Sequence, residues 1–294
     1  MTATDTKAEA TGAIGTLSQA GRDVHRHDAD RFLTVLMAPA DRREDLFALY
    51  AFNSDVARIS EVTSESLLAR IRVQWWRDVI AAIHERGAAP AGHPVAEALG
   101  RAITRHALSR DLFDALLDAR DWDAEGQTMA DLDTLDAYVE GTGGHLARLA
   151  AQILGADTAA AQEAAGLVGR AYALTGLLRA TPFLAAQGRL YLPQSVLDEA
   201  GASAETVLGG GPSTPALAAA VGRLATAARS ALAEARARRA AVPRAAVAAF
   251  LPAVVADGYL GRLRVLGHDV FHPRMALPKH RPLALLLAAW RGRF

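Results

Sequence analysis

Apolar residues recur in this chain with the period of a helix, and runs that alternate apolar and polar residue by residue are almost absent. In REDLFALYAFNSDVARI, the residues Leu46, Leu49, Tyr50, Phe52, Val56 and Ile59 share one broad face, the spacing of an amphipathic helix. ESLLARIRVQWWRDVIAAIHE repeats the pattern through Leu67, Leu68, Ile71, Trp75, Val79 and Ile83. Segments 110–119, 133–154, 159–178, 215–241 and 244–266 read the same way. GAAPAGHP at 87–94 and GASAETVLGGGPSTP at 201–215 are loops by their Gly, Pro and Ser content. No period of 20–50 residues marks a solenoid. Helices joined by short connections predict a single all-α domain packed around a central space. The expected division is a tail over 1–20, a helical domain over 21–266 and a C-terminal tail over 267–294.

Composition removes several function classes. With 294 residues, 51% of them hydrophobic, the chain buries a large core without covalent staples. The lack of cysteine excludes disulfides, thiol nucleophiles and cysteine-ligated zinc, and fits a reducing compartment. Lys and Arg total 32, equal to Asp and Glu, so no bulk basicity favours nucleic acid. The opening MTATDTKAEATGAIGTLSQAG has no apolar core and mixes Asp5 and Glu9 among small residues, unlike a secretory signal or an Arg-rich transit peptide. PLALLLAAW at 282–290 falls far short of the ~20 residues of a spanning helix. These features predict a soluble, cytoplasmic chain with no signal peptide or transmembrane helix. GGGPST lacks the lysine and preceding strand of a phosphate loop, and no G-x-S-x-G or H-E-x-x-H motif occurs.

Three stretches together resemble the squalene/phytoene synthase family of head-to-head prenyl transferases: DRREDLFALYAFNSDVARISE, RIRVQWWRDVI and GLLRATPFLAAQGRLYLP. The resemblance implies an isoprenoid-synthase-type helical bundle around a deep apolar cavity. In active members it implies two Asp-rich elements facing each other across the mouth. Carboxylates at i and i+4 share one helical face, and two such faces hold Mg²⁺ ions and the substrate diphosphate between them. The metals then neutralise the leaving diphosphate.

This chain departs from that pattern residue by residue. In the first element the paired acids fall on Ala57 and Arg58, and only Glu61 remains acidic. In the second, the family's R-D-V-G-E-D falls on RATPFL, so Ala180, Phe183 and Leu184 stand where the acids would be. Removing one electrostatic stabiliser commonly costs 10²–10³ in rate, roughly 3–4 kcal/mol. Losing nearly the whole set predicts no metal-assisted ionisation, so no catalytic residue, metal or cofactor is assigned. Arg179, Gly188, Arg189, Tyr191, Leu192 and Pro193 persist, as do Tyr138 and Gly144 of a middle element, in which Glu140 replaces a more usual aromatic residue. Tyr50, Asn53, Arg58, Gln74, Arg77, Tyr138, Arg179, Arg189 and Tyr191 are the candidate ligand-binding residues.

A-F-N in the first element and L-R-A-T-P in the second resemble a non-catalytic branch of the superfamily, the mitochondrial complex I assembly factors. That resemblance implies an assembly or scaffold role toward respiratory NADH dehydrogenase, at a membrane face, with a lipid or isoprenoid as a possible ligand. The alternative is an active squalene- or phytoene-type prenyl transferase with a degenerate metal site, for which Mg²⁺ would be required.

Other clusters have plainer readings. Asp114, Asp118, Asp121 and Glu125 read as a solvated helix face before an acidic loop. His268 and His272 have the spacing of a helical metal pair, but Gly267 and Pro273 argue against a helix there. His25 and His27 read as solvent-facing, and Trp75 as core, with Gln74 and Arg77 flanking the cavity mouth. Arg58, Arg77, Arg179 and Arg189 form an anion site with guanidinium forks, or they pair with Glu61, Glu65 and Asp78 and bind nothing. The apolar stretch before Arg291 and Arg293 suits a membrane interface, or caps the bundle as a last helix.

Overall fold

A computed structural model describes residues 17–62, 66–125, 128–278 and 281–294. The side chains of Glu61 and Glu125, the residue Glu65 and most of the expected N-terminal tail lie outside the described residues. Every regular element among those described is helical.

The chain enters through α1 (Gln19–His27), which Ser18 caps by accepting from the Gly21 amide, and α2 (Ala29–Val35). Two long antiparallel helices follow, α3 (Arg43–Val62) and α4 (Ser66–Arg86). Next come α5 (Pro94–His106), α6 (Arg110–Glu125) and α7 (Leu132–Val139). A single π-helical turn over Glu140–Gly144 joins α7 to α8 (His145–Ile153), so the continuous helix expected over 133–154 is interrupted. The longest element is α9 (Ala159–Ala186), capped by Thr158 and running through Pro182. Short helices α10 (Gln194–Ala200) and α11 (Ala204–Leu208) lead to α12 (Pro215–Ala237). Phe250 ends a 3₁₀ segment that starts at Arg244, and α13 (Pro252–Val265) begins only after it. The chain closes with α14 (Pro273–Ala276) and α15 (Pro282–Arg291).

Helix α9 is the axis of the bundle and packs on α12, α13, α8 and the π turn. Its approach to that turn depends on paired glycines. A methyl group added at Gly169 would lie 2.1 Å from the Gly143 carbonyl oxygen, and one at Gly143 would lie 2.4 Å from the Gly169 oxygen. Backbone cannot yield as a side-chain tip can, so Gly169→Ala is expected to lower stability by about 1–3 kcal/mol. Urea unfolding followed by circular dichroism reads that loss, and an unchanged midpoint would contradict the packing.

Two side-chain expectations need correction on α4. Leu67, Leu68 and Ile71 are exposed, and the core-facing stripe is Ala69, Val73, Trp76, Ile80 and Ile83. Hydropathy pointed to the wrong side because Ala69 weighs little beside two leucines. Trp76, at 3% exposure, is therefore the core tryptophan, meeting the Phe52 ring edge-on at 4.9 Å. Trp75 is 37% exposed and lies against His93. Among the described residues one run, Arg244–Val265, is long and apolar enough to cross a bilayer, yet 83% of its apolar window is buried in the bundle.

Candidate functional site

The bundle encloses an open cavity of about 810 Å³. Its walls come from the α1–α2 junction, α3, α6, the π turn, α9, the Arg189–Tyr191 segment and Tyr259 of α13. On α3 the cavity-lining positions Asn53 and Ala57 are four apart, in register with Glu61; on α9 the corresponding set is Gly176, Ala180 and Leu184. These are the facing surfaces on which a metal-binding enzyme of this shape would carry carboxylates. Among the described side chains they present an amide, two alanines, a glycine and a leucine, with Arg58 beside them.

The charges that do line the cavity come mostly from elsewhere. Arg26, Arg31, Arg58, Arg120, Arg179 and Arg189 face Asp28, Asp30 and Asp123, leaving an excess of positive charge. Asp123, 9% exposed, accepts from the Tyr191 hydroxyl at 2.6 Å, the Tyr138 hydroxyl at 2.9 Å and Arg120 at 3.0 Å, with Arg189 at 3.5 Å. The rings of Trp122, Tyr138 and Tyr191 are 5.3–5.4 Å apart around it. Burial first and the Asp123 charge second push the Tyr138 phenol well above its usual range. Burial, then Tyr138 and Asp123, do the same to Tyr191. Both therefore remain hydroxyl donors at neutral pH.

A second cluster forms the opposite wall. Asp28 caps α2 and also accepts from Arg31 at 2.6 Å, and the Arg31 guanidinium lies 4.6 Å from the Tyr172 ring centroid and 5.4 Å from that of Tyr50. Burial raises the Tyr50 phenol to about 12 despite the opposing Arg31 charge. Arg179 reaches Asp30 at 3.3 Å and lies over Tyr259 at 4.5 Å. Burial opposes the Arg179 charge, but Tyr259, Tyr172 and Asp30 together raise its pKa. Between these clusters, Asn53 is 6% exposed and its Oδ1 has no hydrogen-bond partner. Arg58 donates to His27 Nε2 at 2.9 Å, and Arg189 donates to Ser60 at 3.1 Å.

Of the sequence candidates, Asn53, Arg58, Tyr138, Arg179, Arg189 and Tyr191 line this cavity, along with Ala57, Ala180, Phe183 and Leu184. Three candidates do not. Gln74 bonds to Asp78 at 2.8 Å, and Arg77 pairs with Asp118 at 2.6 Å and Asp121 at 2.5 Å. The Gln74 bond stays within α4, whereas Arg77 ties α4 to α6, because residue 77 is one position past the buried Trp76. Tyr50 is buried behind the wall rather than part of it. His27, expected only to face solvent, is exposed and also lines the cavity. Asp28, Asp30, Arg31, Arg120, Asp123, Tyr172 and Tyr259 were missed. For two of them a signal existed: Arg120 and Asp123 continue the periodic face of Phe113, Leu116 and Leu117, so both were due to be buried.

The donor set does not fit a magnesium cluster. The nearest carboxylates, Asp28, Asp30 and Asp123, are each paired with a guanidinium, and among the described residues no group of three His, Cys, Asp or Glu converges. His268 and His272 are not on a helix, as their flanking Gly and Pro foretold: His268 has φ +62°, and His272 caps α14.

Residues 24–281 match the squalene/phytoene synthase family. The chain belongs to that family. It is 30% identical over 284 residues to NADH dehydrogenase (ubiquinone) complex I, assembly factor 6 of Bos taurus, covering 96% of this chain and 84% of that protein. It is also 32% identical over 174 residues to presqualene diphosphate synthase of Rhodopseudomonas palustris, covering 59% of this chain and 61% of that one. In fold it is similar to squalene synthase HpnC from Alicyclobacillus acidocaldarius, with a TM-score of 0.76 at 18% identity, covering 87% of this chain and 99% of that one. The all-α isoprenoid-synthase architecture expected from the family motifs is therefore the architecture found.

Proposed function

We propose that this chain is a non-catalytic member of the squalene/phytoene synthase family that assists assembly of respiratory NADH dehydrogenase. It acts at the cytoplasmic face of a membrane and holds an anionic lipid or isoprenoid in its cavity. One observation carries the reading. The two helical faces that meet across the cavity offer Ala57 and Arg58 on one side and Ala180 and Leu184 on the other. Diphosphate ionisation needs convergent cations balanced by carboxylates. This cavity supplies the cations as guanidinium groups, and among the described residues its carboxylates are each paired with one of them and form no metal-binding group of three. Fixed guanidinium forks recognise phosphate by two parallel hydrogen bonds, a holding function rather than a bond-breaking one. Similarity to proteins named as complex I assembly factors supports the assembly role.

Two measurements test this. Purified protein incubated with farnesyl or geranylgeranyl diphosphate and Mg²⁺ is expected to release no diphosphate above a protein-free control. Deleting the gene in its native host is expected to lower the amount of assembled NADH dehydrogenase and leave squalene- and phytoene-derived products unchanged. Diphosphate release, or normal NADH dehydrogenase in the deletion strain, would overturn the reading.

A further inference from the structure

The last helix has two apolar faces, and the bundle uses only one. Leu285 of α15 is 1% exposed and packs with Leu251, Val255 and Tyr259. On the other side Leu283, Leu286, Leu287 and Trp290 are 80, 49, 45 and 71% exposed. Their spacing of i, i+3, i+4 and i+7 places them in one stripe. The helix is firmly seated: the Phe294 ring lies tilted 4.9 Å from that of Phe250, Arg236 donates to the Phe294 carbonyl, and Arg244 donates to that of Trp290. The outward stripe is thus a fixed feature of the fold.

Charge identifies what covers it. From Val270 to the C-terminus there is no Asp or Glu, against Arg274, Lys279, Arg281, Arg291 and Arg293. An apolar stripe in a segment whose own charged side chains are all cationic matches an anionic bilayer, where leucine and tryptophan enter below the headgroups and guanidinium groups stay among the phosphates. It suits a second copy of this chain poorly. Four side chains fall well short of the ~800 Å² per partner of a stable dimer, and a twofold contact would bring like charges together.

The same segment also walls the cavity. Ala276 and Pro278 line it, and Arg262 ties the carbonyls of Arg274, Leu277 and Pro278 to α13. Tyr259, which touches Leu285, lies under Arg179 inside the cavity.

We propose that the outward stripe of α15 docks the protein on an anionic lipid bilayer, with the segment just before it serving as a wall of the cationic cavity. This gives the membrane contact in the proposed function its surface and its lipid chemistry, and rests on that reading. The test is sedimentation of the full chain with vesicles of equal parts phosphatidylcholine and phosphatidylglycerol, beside vesicles of phosphatidylcholine alone. Binding to the anionic vesicles is expected to be at least about tenfold tighter and to weaken with added salt. Leu283→Asp with Leu287→Asp is expected to lower it at least about tenfold; both sites are exposed, so circular dichroism should be unchanged. Leu67→Asp with Ile71→Asp, an equal charge change on the exposed side of α4, is expected to leave binding intact. Four results would overturn the proposal: no binding, no preference for anionic vesicles, equal loss from both variant pairs, or a solution dimer that the α15 pair dissolves. The two readings fail separately. Lost vesicle binding with normal NADH dehydrogenase assembly in cells carrying the α15 pair would remove the need for docking in assembly, whereas a deletion strain with normal assembly would remove only the assembly role.

Discussion

Asp123→Ala is expected to lower the free energy of unfolding by about 3–5 kcal/mol, the usual cost of removing one partner from a buried ion pair. The size follows from what the carboxylate serves. Arg120 and Arg189 both rest on it, and the Tyr138 and Tyr191 hydroxyls donate to it. Arg120 has a buried Nε without a partner, and its one other side-chain acceptor among the described residues is the neutral Tyr138 hydroxyl at 3.3 Å, which does not replace a carboxylate. Truncation leaves buried positive charge and two phenols without an acceptor. Asp123→Asn keeps one oxygen acceptor and should lose less than the alanine variant. Urea unfolding followed by tryptophan fluorescence ranks the three chains, because Trp122 lies within the cluster. A loss under about 1 kcal/mol for Asp123→Ala would mean the network is ornamental.

How far such a network can be foreseen depends on which physical signal encodes it. Helical periodicity is a repeated signal, summed over several turns, and it located the main helices well. It fails where one turn departs from the average: the π turn at Glu140–Gly144 leaves no mark in hydropathy, and neither does the passage of α9 through Pro182. The rim was legible because comparison with a family pattern exposes substitutions such as Ala57 and Ala180. The cavity's charges were harder to see, since Asp28 and Asp30 lie next to a helix start, where acidic residues are ordinary capping groups. Arg120 and Asp123 were hidden inside an acidic stretch that reads as surface. Their periodic phase with Leu116 and Leu117 was the overlooked clue. Arg77 was misplaced for the converse reason: a single step of about 100° along α4 separates the interior from the outside.

The cavity's ligand chemistry leads to the second large effect. With farnesyl diphosphate as the probe, binding should be the same in EDTA as in Mg²⁺, since the positive charge facing the phosphates belongs to side chains. Arg58→Gln and Arg179→Gln are each expected to weaken it about 10–100-fold, the worth of a charge-assisted hydrogen bond of 1.5–3 kcal/mol. Arg179→Gln has an added penalty, because Asp30 loses the guanidinium 3.3 Å away and its negative charge then faces the phosphate. Arg58 donates to His27, and among the described residues it forms no ion pair with a carboxylate. The Arg179 variant should therefore be the weaker binder, and the difference should narrow as salt screens the Asp30 charge. Isothermal titration with and without EDTA separates guanidinium recognition from metal recognition. Binding that EDTA abolishes would mean that the carboxylates, despite their arginine partners, turn to hold a metal.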